Sequence, residues 1–340
     1  MKKVFLYNLN VGSGVEYSGN VIAEWCKELP INFFEYKEQN PPCLSFDPLI
    51  EIKPDIIIIN DNCPRVVEPP YYFKRCFPKT KVIYLTHGIK ELYPPNNISN
   101  MYENYDRLLL YIATRDYFDI VVSFGYIKND NEIPSYLKER FLKGCFPINP
   151  ENYCVKTPWY NRKKLFCYVG QLNNLKFSLD FLKQLKDYDS IQIDCYGYMI
   201  NSYINEEYQK AIKIKQINYK GLLEQEKVPE ILNEYKYFIL PHGRIKEIFN
   251  ISLLQSMCCG TIPLVCNDRT ADFDYTWIDW AHGLYTPHNT EEMLLKTITS
   301  PTLVEKDYSY LSNYISKQAK ERFDYYKFKN EFQQMMKGWL

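Results

Sequence analysis

"EIFNISLLQSMCCGTIPLV", residues 247–265, passes from a polar start through apolar helical spacing to a Cys pair, Gly260 and a short apolar run. In helical register Leu253, Leu254 and Met257 face a core, and Gly260 ends the helix. A helix feeding an apolar strand this directly is the helix-to-strand step of a parallel sheet. Two polar residues stand out. Glu247 and Gln255 are eight positions apart, a little over two turns if one helix holds both, on neighbouring parts of one face. The dipole stabilises an acid at a helix start, so capping explains Glu247 as well as a ligand does, and a surface position explains Gln255.

The same alternation extends in both directions. Upstream, "LFCYVG" (165–170), "IQIDCYG" (191–197), "INYKG" (217–221) and "YFILPH" (237–242) read as strands. The helical patterns "FSLDFLKQLKDY", "NEEYQKAIKIKQ" and "VPEILNEYK" separate them. Further back, "KKVFLYNL" (2–9), "INFFEY", "DIIIIN" (55–60), "KVIYLTH" (81–87) and "DIVVSFG" (119–125) are strands, and "VEYSGNVIAEWCKEL" (15–29) is the first helix. "GCFPINPENYCVKTPWYNRKK" (144–164) breaks the rhythm with Pro, Asn and aromatics. The expectation is α/β: a Rossmann-like domain over 1–150, a linker over 151–164 and a second Rossmann-like domain over 165–305. C-terminal helices over 306–340 are expected to cross back to the first domain. Ligands of such sheets bind beyond the C-terminal strand ends, which puts the expected site in a central cleft between the domains.

Composition narrows the classes. A chain of 340 residues exceeds the usual single domain. It is 46% apolar and 24% charged, which is ordinary globular usage. A net charge of zero gives no global field toward nucleic acid or anionic lipid. "YYFKRCFPKTK" (71–81) is one local basic candidate, which a solvated helix end also explains. The N-terminal apolar run is too short for a signal peptide, and no stretch approaches a membrane span. The 11 Cys are scattered through apolar runs without zinc spacing, as buried small hydrophobes in a reducing compartment would be. Neither metal site nor disulfide framework is expected.

Four constellations remain. "NVGSGVEYSG" (10–19) joins the first strand to the first helix, where Gly12, Ser13 and Gly14 let a ligand approach the backbone. It lacks the dinucleotide fingerprint's third glycine, and a plain tight turn fits the same residues. "VGQLNNLK" (169–176) repeats the arrangement. Lys176 near a helix start opposes the dipole, which favours a phosphate partner over solvent. "LPHGRIKEIFN" (240–250) carries His242, Arg244 and Lys246, able to neutralise a diphosphate or to form an ordinary charged loop. His87 closes a strand at the edge where ligands bind.

Together these pieces resemble the GT-B glycosyltransferases, and most closely the retaining family-4 members. The resemblance spans nearly the whole chain: "GSGVE", "KPDIIIIN", "THG", "YVGQLNNLK", "YGY", "YKGLLEQEKVPEIL" and, most specifically, "ILPHGRIKEIFNISLLQSMCCGTIPLV". It implies that Glu247 faces the donor sugar, position 255 the ribose, Lys176 the diphosphate and His87 the sugar and acceptor, with His87 and Glu247 catalytic. Gly12, Ser13, Gly14, Gly170, Gln171, His242, Arg244, Phe249, Asn250, Ile251 and Gln255 complete the implied donor site. Three positions depart from the family pattern. Gln171 stands for an arginine that Arg244 would replace, Gln255 for a second acid and His242 for a serine.

The resemblance implies hexosyl or pentosyl transfer from a UDP- or GDP-sugar to a hydroxyl, with retention, no metal and no further cofactor. The implied acceptor is a glycan, a lipid-linked sugar or, as in phage enzymes, hydroxymethylated DNA. The implied location is cytoplasmic, with peripheral membrane contact open, or a host cytoplasm for a viral chain. A nucleotide-sugar epimerase on the same fold and an inactive nucleotide-sugar-binding protein remain the alternatives.

Overall fold

Ile56–Asn60 is buried along its whole length, which requires cover on both faces of its sheet. The computed structural model describes residues 1–9, 14–38, 46–60, 67–87, 92–93, 101–124, 131, 133–174, 176–199, 206–241, 250–266, 291–300 and 307–340. The chain divides into two compact units, 1–147 with 324–340, and 148–323.

The first unit holds strands β1 (Lys3–Leu9), β2 (Asn32–Glu38), β3 (Ile56–Asn60), β4 (Lys81–Thr86), β5 (Ile120–Ser123) and β6 (Phe141–Lys143). All pair in parallel, in the order β2-β1-β3-β4-β5-β6. Helices α1 (Gly14–Lys27), α2 (Asp47–Ile52), α3 (Glu68–Cys76) and α4 (Met101–Asp116) connect them. One layer of core joins Phe5, Ile57, Val82, Tyr84 and Val121 to Phe73, Leu110 and Phe118. The chain reverses direction across the sheet between β1 and β3, so this is its topological switch point. The basic run at 71–81 is no open cationic face: Lys74 and Lys81 both pair with Asp119, at 2.9 and 2.8 Å. Burial alone would raise Asp119, but hydrogen bonds from Lys81, Lys74 and the Val82 amide hold its carboxyl below the usual range.

In the second unit β7 (Lys164–Val169), β8 (Ile193–Tyr196), β9 (Ile217–Gly221), β10 (Tyr235–Pro241) and β11 (Ile262–Cys266) form a parallel sheet, ordered β11-β10-β7-β8-β9. Its helices are α5 (Leu179–Leu185), α6 (Glu206–Ala211), α7 (Val228–Glu234), α8 (Ile251–Cys258), α9 (Glu291–Ile298) and α10 (Ser309–Arg322). Here the switch point lies between β7 and β10, the strands that precede "GQLNNLK" and "HGRIKEIFN".

The segment 151–164, expected as a linker, is packed into the second unit instead. Tyr153, Trp159 and Arg162 are each at most 3% exposed. Arg162 spends its guanidinium on backbone: it donates to the carbonyls of Thr157 (3.1 Å), Tyr235 (2.9 Å) and Cys259 (2.6 Å) and to Thr261 Oγ1 (3.1 Å). Desolvation pushes its pKa down to about 10, so it remains a cation. The end of α8 is tied from a second side. Ser316 and Ser312 of α10 donate to the carbonyls of Cys258 and Gly260, each at 2.6 Å. Carbonyls that a helix end leaves orphaned are thereby satisfied.

The tail is two helices. Asp324 caps α11 (Tyr325–Lys337) by accepting from the Lys327 amide at 3.0 Å. Helix α10 belongs to the second unit and α11 to the first. There Trp25 of α1 packs against Tyr325, Phe328 and Phe332, and its Nε1 donates to Tyr325 Oη at 2.9 Å. Among the described residues no helix is long and apolar enough to cross a membrane.

Candidate functional site

At the first switch point the strand ends carry buried amides. Asn8 and Asn60 stand opposite each other in the β1–β3 register and are 2% and 1% exposed. Asn60 Nδ2 donates to Asn8 Oδ1 (3.0 Å) and to the Val15 carbonyl (2.8 Å), while Asn60 Oδ1 lies 3.1 Å from His87 Nε2. His87 follows β4, with Phe124 and Phe146 against its ring. Burial pushes His87 down to about 3, so the imidazole is neutral at physiological pH.

Gly19 fits the amides to α1. A Cβ there would stand 1.9 Å from Asn8 Oδ1 and 2.3 Å from Asn60 Nδ2, so only glycine lets the helix lie on the pair. Gly19 comes two positions too late after Gly14 for the dinucleotide fingerprint, and it meets side chains of this chain. Gly14 begins α1, whereas Gly12 and Ser13 lie outside the described residues.

At the second switch point the loop after β7 is held by its own amides. Asn173, 1% exposed, accepts the Lys176 amide through both its carbonyl (3.1 Å) and its Oδ1 (3.0 Å). Asn174 Oδ1 accepts from the Leu179 amide at 3.2 Å, and Ser178 caps α5. The Ser178 amide donates to the Pro241 carbonyl at 3.1 Å, joining this loop to the end of β10. Lys176 thus stands two residues ahead of the α5 cap, and burial lowers its pKa. An ammonium so desolvated gains most from an anion.

At the start of the same loop the backbones of two glycines come together. A Cβ on Gly197 (φ +136°) would lie 1.8 Å from the Gly170 carbonyl oxygen. The Gly170 amide donates to Tyr196 O at 2.9 Å and the Leu172 amide to Tyr198 O at 3.1 Å. The side chain of Gln171 is engaged within this loop pair, its Nε2 donating to Tyr198 Oη at 3.0 Å.

Helix α8 begins at Ile251, with Asn250 Oδ1 accepting the Leu253 amide at 3.0 Å as its cap. Glu247, which is three residues ahead of that cap in sequence, lies outside the described residues, so the expected pairing of Glu247 with Gln255 on one helix face lies outside them too. Gln255 is not a surface residue: it is 2% exposed, and its Nε2 donates to Tyr153 Oη at 2.9 Å. The same Oη accepts from Gln225 Nε2 at 2.7 Å. Glu247, His242, Arg244 and Phe249 lie outside the described residues.

The structure thus gathers Gly170, Gln171 and Lys176 at one strand end, places Asn250, Ile251 and Gln255 on α8, and sets His87 and Gly14 at the edge of the other sheet. Asn8, Asn60, Gly19, Gly197 and Tyr153 were not expected as site-builders. The two Asn had a legible signal, each a lone amide closing an apolar run, "FLYN" and "IIIIN". Tyr153 had none, since its segment reads as a connector.

Among solved structures, a sucrose-phosphate synthase from Thermosynechococcus elongatus superimposes with a TM-score of 0.69 at 11% identity, over 99% of each chain. An alpha-glucosyltransferase in complex with UDP and a 13-mer DNA superimposes with 0.58 at 12% identity, over 99% of each chain. A UDP-GlcNAc 2-epimerase from Neisseria meningitidis, bound to UDP-GlcNAc, gives 0.56 at 11% identity, over 98% of this chain and 99% of that one. At these identities the likeness establishes the fold, two Rossmann-like units of the GT-B class. No curated protein matches the sequence. The model of the family "Glycosyl transferases group 1" matches residues 151–322, more than half of the chain. The protein belongs to the group 1 glycosyl transferases.

Proposed function

We propose that the protein moves a hexosyl or pentosyl group from a nucleoside diphosphate sugar to a hydroxyl acceptor, with retention and without a metal ion. The observation that carries this reading is Lys176, a desolvated cation in the loop that follows β7, at the switch point of the second sheet. Lys176 binds the diphosphate there, in a loop whose start is held against the end of β8 by the Gly170–Gly197 backbone contact. Gln255 offers its Oε1 to a ribose hydroxyl while Tyr153 holds its amide. Glu247 faces the sugar, Arg244 supplies the second cation, and His242, Phe249, Asn250 and Ile251 line the donor site. UDP in the similar alpha-glucosyltransferase and UDP-GlcNAc in the similar epimerase support a nucleotide-sugar donor.

The bond from the anomeric carbon to the diphosphate oxygen breaks, and its electrons leave with the diphosphate. The acceptor oxygen bonds to that carbon on the same face, and its proton passes to a leaving phosphate oxygen. Fixed cations stabilise the departing charge, so no metal is required. Two Asp-x-Asp stretches bear on this point. Asp187 and Asp189 lie between α5 and β8, at the opposite edge of the sheet from Lys176, with Asp189 paired to Lys215 at 2.8 Å. The other, 272–274, lies outside the described residues.

The acceptor hydroxyl belongs to the first unit, where His87 meets it. A glycan, a lipid-linked sugar and hydroxymethylated DNA are the acceptors to test. The experiment is a donor screen that follows free nucleoside diphosphate with and without each acceptor, in chelator. Acceptor-dependent release is expected. Inversion at a sugar carbon without net release would make the protein an epimerase, binding without turnover an inactive sugar-nucleotide binder. Activity lost in chelator and restored by a divalent cation would overturn the metal-free scheme.

A further inference from the structure

The amides at the first switch point form a chain whose every direction is determined. Lys37 Nζ can only donate, and it does so to Asn20 Oδ1 at 3.0 Å. Asn20 Oδ1 also accepts from Asn8 Nδ2 at 3.0 Å, and Asn8 Nδ2 gives its other hydrogen to Glu35 Oε1 at 3.0 Å. A flipped Asn8 would turn its oxygen onto the Glu35 carboxylate. Asn8 Oδ1 therefore faces Asn60, whose Nδ2 divides its two hydrogens between that oxygen and the Val15 carbonyl. A flipped Asn60 would set two acceptors 2.8 Å apart. Asn60 Oδ1 must then face His87, and the hydrogen between them belongs to His87 Nε2.

We propose that the chain Glu35–Asn8–Asn60 is a positioning device that fixes His87 with its proton on Nε2 and a bare lone pair on Nδ1, making His87 a hydrogen-bond acceptor for a substrate hydroxyl. The polarity starts at an anion and reaches the imidazole through two amides, each with both amino hydrogens engaged. Asn60 accepts at Oδ1, so the ring cannot invert its tautomer without breaking the bond or flipping both amides. Nδ1 takes no hydrogen bond from a described residue. A neutral ring whose Nδ1 takes no hydrogen bond from a described residue can accept from an O–H group and rejects a carbonyl or ether oxygen, so the ligand it selects is a hydroxyl. Gly19 is part of the device, because any side chain there would displace both amides. The hydroxyl's place rests on the transferase reading above, but the tautomer does not.

The test is long-range proton–nitrogen correlation on protein labelled in its four His, with the His87 signals assigned by their loss in His87→Gln. Between about pH 5.5 and 8 the wild-type ring is expected to show a protonated Nε2 and an unprotonated Nδ1 throughout. Asn60→Leu removes the acceptor and should convert these signals to an exchanging, titrating pattern, with turnover lower by about tenfold and KM for the donor little changed. A protonated Nδ1 in wild type overturns the proposal, and this measurement needs no variant to fold. A tautomer unchanged in a folded Asn60→Leu also overturns it. The expected tautomer with full transfer in His87→Gln would remove the hydroxyl-acceptor role while leaving the nucleotide-sugar donor standing.

Discussion

At the β1–β3 edge of the first sheet a ligand would meet side chains, whereas at the β7–β8 edge of the second it would meet main chain. The first edge is a closed run of buried amides ending on a neutral imidazole. The second is a backbone contact between Gly170 and Gly197 at the start of the loop that carries a desolvated lysine. The first lies at the β1–β3 switch point and the second at the end of β7, one of the two strands that flank the β7–β10 switch point, so topology explains their place and not their materials. An amide array can choose among uncharged hydroxyls by direction. Bare backbone with a cation suits an anion that needs close approach and charge. On the proposed reading, one edge selects and the other supplies charge.

A glycine substitution at each edge tests that contrast most strongly. In Gly197→Ala the new methyl meets the Gly170 carbonyl just past the end of β7, at a φ that side chains rarely adopt, and the backbone has to move. A loss of about 3 kcal/mol in urea unfolding is expected, together with weakened nucleoside diphosphate binding. Gly19→Ala meets short side chains instead, which yield with a small helix shift, at a cost of about 2 kcal/mol. Nucleotide binding should survive that change. Equal losses in both variants would remove the distinction between a main-chain edge and a side-chain edge.

The next effect concerns charge. Lys176→Ala should weaken nucleoside diphosphate binding by roughly ten- to a hundredfold, since a hydrogen bond to a charged group is worth about 1.5–3 kcal/mol. His87→Gln, at the other edge, should leave that affinity unchanged. Calorimetry on both proteins reads the difference, and unchanged binding in Lys176→Ala would return the lysine to a packing role.

Much of this frame was legible beforehand, because buried parallel strands announce themselves as apolar runs. "DIIIIN", "KVIYLTH" and "INYKG" mark strands to within a residue or two, and the strand-end position of His87 follows from them. Strand β6, three residues long and only partly buried, carries too little pattern to read. The α8 boundary was misplaced because Glu247 is a plausible helix opener, while the cap that won, Asn250, is equally ordinary by type and is chosen by geometry. Arg162 and Tyr153 were hidden for another reason. Their segment lacks periodicity, and burial there comes from long-range bonds to Cys259, Tyr235 and Gln255 that no local pattern encodes.

The pH dependence of stability separates the edges more finely. His87 moves from an ordinary value of 6.5 to about 3 on burial. Below about pH 6.5 the unfolded chain binds a proton that the folded chain refuses, so stability falls as pH falls, until about pH 3. Between pH 6.5 and about pH 5 this linkage amounts to about 1.5 kcal/mol, an upper figure because the ring keeps some accessible surface. His87→Gln has no such group, so its urea midpoint should decline less over the same interval. Parallel declines would mean that His87 titrates freely in the folded protein. Lys176, with its pKa lowered from 10.5 by burial, acts in the same sense at the alkaline end. Its unfolded form holds a proton that the folded form releases sooner, so its burial penalty eases only as pH rises through that region.

The smallest effect settles what Asn250 is for. Its Oδ1 accepts the Leu253 amide at 3.0 Å, which makes it the cap of the helix that carries Gln255, whereas the family resemblance implies a donor contact. Loss of such a cap costs about 1 kcal/mol. Asn250→Ala should therefore lower stability by about that amount, with α8 still held at its far end by Arg162, Ser312 and Ser316. Because that end is fixed, Gln255 should keep its bond to Tyr153, and nucleoside diphosphate affinity should change less than threefold, about 0.6 kcal/mol. Asn250→Asp supplies the control. It caps the helix equally well and restores stability, but it adds a negative charge to a residue proposed to line the donor site, and affinity for nucleoside diphosphate should fall through repulsion. Stability and affinity then move in opposite directions in the two variants. If Asn250→Ala weakens the nucleotide as much as Lys176→Ala does, Asn250 is a ligand contact first and a cap second, and the second edge is less purely main chain than the glycine contact suggests.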